Sequence, residues 1–229
     1  MKDKSKTASQ LLEELQNDPK HQKMLKEKEE MRERIEQNAI AGQRELLQEL
    51  NGVGINITSV WDLVNTKLSY PNAISILIKY LPKMQDDNNK EGIIRALAVR
   101  EAIGLANDVL LSEFENMSIK KVNLKWIIGN TIFKIITSND LNRVLKIVSE
   151  KDNGFSRQIF VLALGKLKSR KTEDVLIELL NDEEVVLQAI SSLGKLKSQL
   201  AKNRLIILAS DSNQSVRDAA KKALKKITG

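Results

Sequence analysis

The hexapeptide Leu-Gly-Lys-Leu-Lys-Ser stands at residues 164–169 and again at residues 193–198, 29 residues further on. A repeat of this length constrains the fold more than any other feature of the chain. A unit of about 30 residues cannot bury its own apolar side, so successive units must stack on one another. In the register of the hexapeptide, residues 154–168 (GFSRQIFVLALGKLK), 183–197 (EEVVLQAISSLGKLK) and 213–227 (NQSVRDAAKKALKKI) share an apolar period near 3.6 and an (Ala/Ser)-Leu-x-Lys-(Leu/Ile) ending. Another amphipathic segment precedes each, at 141–150, 172–182 and 201–211. The spacing predicts two antiparallel helices per unit, with Asp, Asn or Ser at the joins, where caps and turns need them.

The pattern continues upstream in a looser form. Residues 70–84 (YPNAISILIKYLPKM) predict a first helix, opened by Pro71 and ended near Leu81 by Pro82. Residues 90–104 predict its partner, and residues 105–115 and 120–137 another pair. The expected array is a capping helix at 59–68 and repeats at about 70–104, 105–137, 140–168, 172–197 and 199–228, all within residues 57–229. Few prolines, few glycines and few aromatics argue against a β fold. The expected class is all-α, a right-handed α-solenoid of about five helix pairs.

Residues 1–56 read as a helical N-terminal extension. A short helix at 8–18 is stopped by Asp18-Pro19, and one long charged helix then runs from Pro19 to Leu50 into a glycine-containing turn at 51–56. Its apolar stripe is thin at Met24 and Met31 and strengthens at Ile35, Ala39, Ile40, Leu46, Leu47 and Leu50. The first half is expected to project or pack loosely and the second half to dock on the first repeat.

Composition removes several function classes. The absence of cysteine excludes disulfides and thiolate metal sites. The single histidine, His21, lies in a charged stretch where a surface position is expected, and one histidine makes no metal cluster. No phosphate loop, dinucleotide fingerprint or metal-ligand spacing is present, so no cofactor is expected. No apolar run approaches the ~20 residues of a membrane span, and none follows the N-terminal lysines, so a cytoplasmic protein is expected. The net charge of +7 is unevenly placed: −1 over residues 1–50, 0 over 51–110, +3 over 111–160 and +5 over 161–229. A basic second half suits an acidic partner or nucleic acid, or is a lysine-rich helical surface.

Residues 211–227 (DSNQSVRDAAKKALKKI) resemble the second helix of a HEAT repeat: a turn aspartate at Asp211, then Val216-Arg217, Ala219-Ala220 and Ala223-Leu224. Residues 174–197 are similar to the short HEAT-like form found in bacteria, and residues 60–102 resemble bacterial HEAT-repeat proteins of unassigned function. The resemblance implies an armadillo-type solenoid whose second helices line a concave face. It implies binding and names no activity.

Several side chains are candidates for that face. Gly-x-x-Arg occurs at 92–95 and 154–157, two repeats apart, and Arg217 falls 60 residues beyond Arg157. Placed at the starts of second helices, Arg95, Arg157 and Arg217 have two readings. They form a basic stripe that grips carboxylates or phosphates, or they brace each repeat against turn aspartates and backbone carbonyls of its neighbours. Arg100 stands close by with Glu101, and Glu91 and Arg95 form an i,i+4 pair. Lys125 and Trp126 occupy the arginine position in an intervening repeat. Trp126 and Asn130 lie one turn apart, either reading a peptide or base or, for the tryptophan, filling the core beside Gly129. The cations of the repeat endings (Lys166, Lys168, Arg170, Lys171, Lys195, Lys197, Lys225, Lys226) complement helix C-termini and, stacked in register, form a basic ridge.

The expected function is a non-catalytic scaffold that binds another protein through Arg95, Arg100, Lys125, Trp126, Asn130, Arg157 and Arg217. The alternative is a nucleic-acid-binding or DNA-repair protein similar to the HEAT-type alkylpurine DNA glycosylases. Those need a catalytic carboxylate beside aromatic residues, and no Asp or Glu pairs with Trp126 in the pattern. A third reading, a chromophore lyase or chaperone similar to the HEAT-like phycobilin lyases, has no mark beyond the fold.

Overall fold

The computed structural model describes residues 17–167 and 169–228, apart from the side chains of Ile35 and Glu36. The short helix expected at 8–18 falls almost wholly outside these residues, as do Lys168 and the Ile35 side chain. Thirteen α-helices are present among the described residues. They are α1 (Pro19–Gly42), α2 (Arg44–Gly52), α3 (Trp61–Asn65), α4 (Pro71–Tyr80), α5 (Asp87–Ala96), α6 (Asn107–Asn116) and α7 (Val122–Ile135). Then follow α8 (Leu141–Ser149), α9 (Arg157–Leu164), α10 (Arg170–Glu178), α11 (Val186–Leu196), α12 (Lys202–Leu208) and α13 (Gln214–Thr228).

These helices stack in two rows. The second helices α3, α5, α7, α9, α11 and α13 each pack on the next. On the other side α2 packs on α4 and α8 on α10, and within pairs α6 meets α7, α8 meets α9, α10 meets α11 and α12 meets α13. One apolar core runs through both rows, from Leu46 and Leu50 to Val216 and Ile227. Burying each such aliphatic side chain contributes roughly 1.5–3 kcal/mol, the main stabilising term of the stack. The fold is an all-α solenoid of five full helix pairs, α4/α5 to α12/α13, headed by the short pair α2/α3.

The doubled hexapeptide acts at the closest approaches within the second row. A methyl group on Gly165 would stand 3.0 Å from Ser192 Cα, and one on Gly194 would stand 2.9 Å from Ala223 Cα. Both are below ordinary contact, so the lack of a side chain lets neighbouring helices meet backbone to backbone. The same row is pinned by hydroxyls: Ser192 Oγ donates to the Val161 carbonyl at 2.9 Å and Thr131 Oγ1 to the Ile94 carbonyl at 3.0 Å, both buried.

The expected long helix from Pro19 to Leu50 is broken. Asp18 caps its start by accepting the Lys20 N–H, and Pro19 takes the first turn, but α1 ends at Gly42. Gln43 leaves helical geometry and is buried, and its Oε1 accepts the Val60 N–H at 3.0 Å, tying the break to the head of α3. Leu46 and Leu50 of α2 enter the core as expected, whereas Ile40 stays exposed with most of α1. His21, expected on the surface, is partly covered.

The helix expected at 90–104 also stops early, at Ala96. The buried Tyr70 hydroxyl donates to the Ala96 carbonyl at 2.9 Å, taking the acceptor that the next helical turn needs. Burial, with the charge of Glu101, pushes the Tyr70 phenol up to about 12, so it remains a donor. The chain then makes a 3-10 turn over Arg100–Ala102. Pro82 ends α4 as expected, in a 3-10 turn over Leu81–Lys83.

Candidate functional site

The early stop of α5 opens a groove between α3, the end of α5 and α7. It encloses about 450 Å³ and is lined by Lys67, Ser69, Arg95, Arg100, Glu101, Ile127, Asn130 and Lys134, among others. Four of these side chains are cationic and exposed: Lys67, Arg95, Arg100 and Lys134. Two carboxylates approach them and both are engaged. Glu91 accepts from Arg95 Nε at 2.7 Å, the i,i+4 pair that the spacing anticipated. Glu101 accepts from Ser69 Oγ, which holds its carboxyl below the usual range. Three candidates, Arg95, Arg100 and Asn130, therefore come together in one groove.

Arg157 is elsewhere. It is the first residue of α9, its side chain is wholly buried, and each of its three nitrogens donates a hydrogen bond. Nη1 donates to Asp182 Oδ2 at 2.8 Å and to the Val148 carbonyl at 3.2 Å, Nη2 to Glu184 Oε2 at 2.6 Å, and Nε to the Gly154 carbonyl at 3.3 Å. The hydrogen bond from Arg157 holds the Asp182 carboxyl below its usual value against the opposing effect of burial. Asp182 and Glu184 lie in the α10–α11 turn, so this arginine locks one repeat to the next. The structure corrects its place in a groove-facing stripe: a side chain with no exposed surface, held by two carboxylates and two carbonyls, cannot grip a ligand.

Arg217 also braces. Its Nη1 donates to the Asp211 and Ser212 carbonyls, both at 2.7 Å, closing the turn before its own helix. The expected stripe fails for a geometric reason. Arg157 stands at the start of a second helix, but Arg95 stands in the last turn of α5. Identical spelling at the two Gly-x-x-Arg sites thus marks opposite ends of the helices.

Lys125 is buried with its Nζ 4.1 Å from the centre of the Phe114 ring and 3.2 Å from Asn153 Oδ1. Burial pushes its amine below the usual lysine range, with Glu150 opposing. It belongs to the core, not to a face open to a partner. Trp126 departs from the core reading. It is 39% exposed, and the space beside Gly129 is taken by Ile159 of α9, whose Cγ2 would lie 2.1 Å from an added methyl. Asn130 donates from Nδ2 to the Trp126 carbonyl at 3.1 Å and stays partly open to the groove.

Lys67 and Lys134 were missed as groove residues. The signal for Lys134 was present: it ends α7 as Lys166 and Lys195 end the following two units. Lys166 reaches back to the preceding repeat, donating to the Phe133 carbonyl at 2.5 Å with its Nζ 4.8 Å from the centre of the Phe133 ring. Burial and then the charge of Lys195 push its amine below the usual lysine range. No carboxylate lies within ion-pair distance of Lys134, Lys166 or Lys195 among the described residues. Other cations are paired between repeats, Lys90 of α5 with Glu113 of α6 at 2.7 Å among them. Arg143 of α8 is held by Asp108 at 2.6 Å, Glu115 at 2.7 Å and Ser112 at 3.1 Å of the preceding repeat.

Among the described residues no group of three or more Asp, Glu, His or Cys side chains is placed to hold a metal ion. No helix of these residues is long and apolar enough to cross a membrane.

Residues 141–225 match the family model described as HEAT repeats. No curated protein matches the chain in sequence. Among solved structures, a designed armadillo repeat protein, YIII(Dq)4CqI, is 19% identical, with a TM-score of 0.46 over 93% of this chain and 97% of that one.

Proposed function

From the premise of a HEAT/armadillo-type repeat protein, with the family match over residues 141–225, we propose a non-catalytic scaffold whose second-helix row binds a partner protein. One observation carries this reading: cations that reach acids of a neighbouring repeat are paired, whereas a group at or just beyond the ends of second helices is not. Arg143 and Arg157 are each held by two carboxylates of a neighbouring repeat. Arg100, Lys134, Lys166 and Lys195, at or just beyond the ends of second helices, form no ion pair, and Trp126 is exposed near the start of α7. Charged groups left without a protein partner on a rigid, patterned face suit recognition of an opposite charge brought by something else.

Affinity capture with the wild-type chain beside an Arg100→Glu/Lys134→Glu variant tests it. Both side chains are exposed, so the variant should melt like the wild type and lose the captured protein. Equal recovery of the same protein by both chains overturns the reading. A gel shift at two salt concentrations separates a nucleic-acid partner, whose affinity falls steeply with salt.

A further inference from the structure

Three second helices carry the same oblique row on their solvent side. Residues four apart lie on one face of a helix, and the rows are Trp126–Asn130–Lys134 on α7, Gln158–Leu162–Lys166 on and just beyond α9, and Leu187–Ser191–Lys195 on α11. The two outer rows are 61 residues apart and match at both ends: an exposed apolar side chain first, an exposed lysine eight residues later. Trp126 is 39% exposed and Leu187 38%, and Phe155, which enters α9, is 62% exposed. The lysines follow one another along the stack: Lys166 hydrogen-bonds the Phe133 and Lys134 carbonyls at the end of α7, and Lys195 stands in the last turn of α11, which packs on α9. The second-helix face therefore has an apolar edge over the helix starts and a cationic edge over the helix ends.

The dimensions select an occupant. Eight helical residues rise about 12 Å, which equals the ~10–12 Å width of an α-helix with its side chains. A helix laid along the solenoid, across α7, α9 and α11, touches both edges at once. Packed helices stand ~8–10 Å apart, so successive lysines are separated by about five to seven residues of such a helix at 1.5 Å per residue, and about seven, two turns, keeps the facing groups on one side. We propose that the face binds an amphipathic acidic helix of a partner protein. Its carboxylates recur at about i, i+7 and i+14 over Lys134, Lys166 and Lys195, and its apolar side covers Trp126, Phe155 and Leu187. The inference rests on the scaffold reading above and adds the class of partner. Lys166 keeps donors for a carboxylate although one N–H is spent on the Phe133 carbonyl, because an ammonium has three.

The test is selection from a phage-displayed library of helical peptides on the full chain, followed by affinity measurements on the enriched sequence. The expected helices carry Asp or Glu at about seven-residue spacing on one edge and Leu or aromatic residues on the other. Lys134→Glu/Lys166→Glu/Lys195→Glu should weaken the enriched peptide by about tenfold or more. Trp126→Ala/Leu187→Ala should do the same, whereas Lys146→Glu/Lys202→Glu on the first-helix row should leave affinity unchanged. Helices without an acidic edge, or affinity within about twofold of wild type after the triple reversal, overturn the proposal. So does a single-stranded oligonucleotide that displaces the peptide and binds more tightly at physiological salt, which assigns the face to nucleic acid. If the acidic helix fails while an Arg100- and Lys134-dependent protein is still captured, the occupant is wrong and the scaffold reading stands. If both fail, the scaffold reading falls with it.

Discussion

Gly92-Ile-Ile-Arg95 and Gly154-Phe-Ser-Arg157 share a spelling and lie two repeats apart, yet one arginine faces water and the other has no exposed surface. Arg95 closes α5 and meets only Glu91, one turn back on the same helix. Arg157 opens α9, where the joint with the next repeat presents Asp182 and Glu184. The difference teaches that place within the helix decides what a cation does in this stack. At the joints, cations meet turn acids of neighbouring units and become braces. At the C-terminal ends of second helices Arg95, Lys134 and Lys195 are exposed, and of these only Arg95 has a carboxylate within ion-pair distance, on its own helix.

The largest consequence is expected at the joint. Arg157→Ala leaves Asp182 facing an empty, buried site and removes two carbonyl contacts. Breaking a buried ion pair from one side costs about 3–5 kcal/mol, and the lower part of that range is expected because Glu184 stays partly in water. Urea denaturation should show the loss as a lower midpoint. Arg157→Lys should recover little of it, since one ammonium cannot reproduce the forked contacts. Acid should act through the same clamp. The Asp182 carboxyl is held below its unfolded value by Arg157, so its contribution is complete above the unfolded value near pH 3.9. It is lost as pH falls through the lower folded value. Arg157→Ala should remove this part of the acid dependence, and an unchanged stability–pH profile in the variant would contradict the clamp.

The two glycines of the motif separate next. Gly154 sits at φ 51°, ψ −139°, in the turn that delivers Arg157 to its site. A side chain there carries backbone strain of about 1–3 kcal/mol. Gly92 is helical and buried, and an added methyl would stand 2.5 Å from Val60 Cγ1 and 3.3 Å from Trp61 Nε1. Alanine at Gly92 gains up to about 1 kcal/mol of helix propensity, which offsets part of the overpacking. Gly154→Ala should therefore lower the urea midpoint more than Gly92→Ala. The reverse order would show that the turn relaxes and the α3–α5 contact does not.

These contrasts also explain what the sequence could disclose. The repeat was legible because a doubled hexapeptide and a 3.6-residue period are local signals. Gly165 and Gly194 stand at close helix contacts, as their small size suggested. The ends of elements were not legible, because the side chains that set them come from afar. Tyr70 stops α5 from 26 residues away, and Gln43 is fixed by Val60 from 17. The same holds for the site. The groove exists because α5 stops at Ala96, so Lys67 and Lys134 could not be grouped with Arg95 and Arg100 beforehand. Trp126 looked like a core residue because Gly129 lies one turn on, but Ile159 of the next repeat takes that space.

The smallest expected effects lie on the free side. Arg95→Ala removes one exposed pair worth about 0.3–0.5 kcal/mol on a helix surface. Lys195→Gln should change stability by no more than about 0.5 kcal/mol, because two small effects oppose each other. The substitution removes a cation that complements the C-terminal dipole of α11, and it relieves the repulsion that Lys195 exerts on Lys166. NMR titration of the lysine ε-groups separates the two. In Lys195→Gln the Lys166 amine should titrate higher than in the wild type while staying below an ordinary lysine, because burial is the larger cause of its depression. An unmoved Lys166 would mean that the two amines do not sense each other and that the cationic edge is interrupted between α9 and α11. The second-helix side would then be a set of separate helix ends rather than one continuous face.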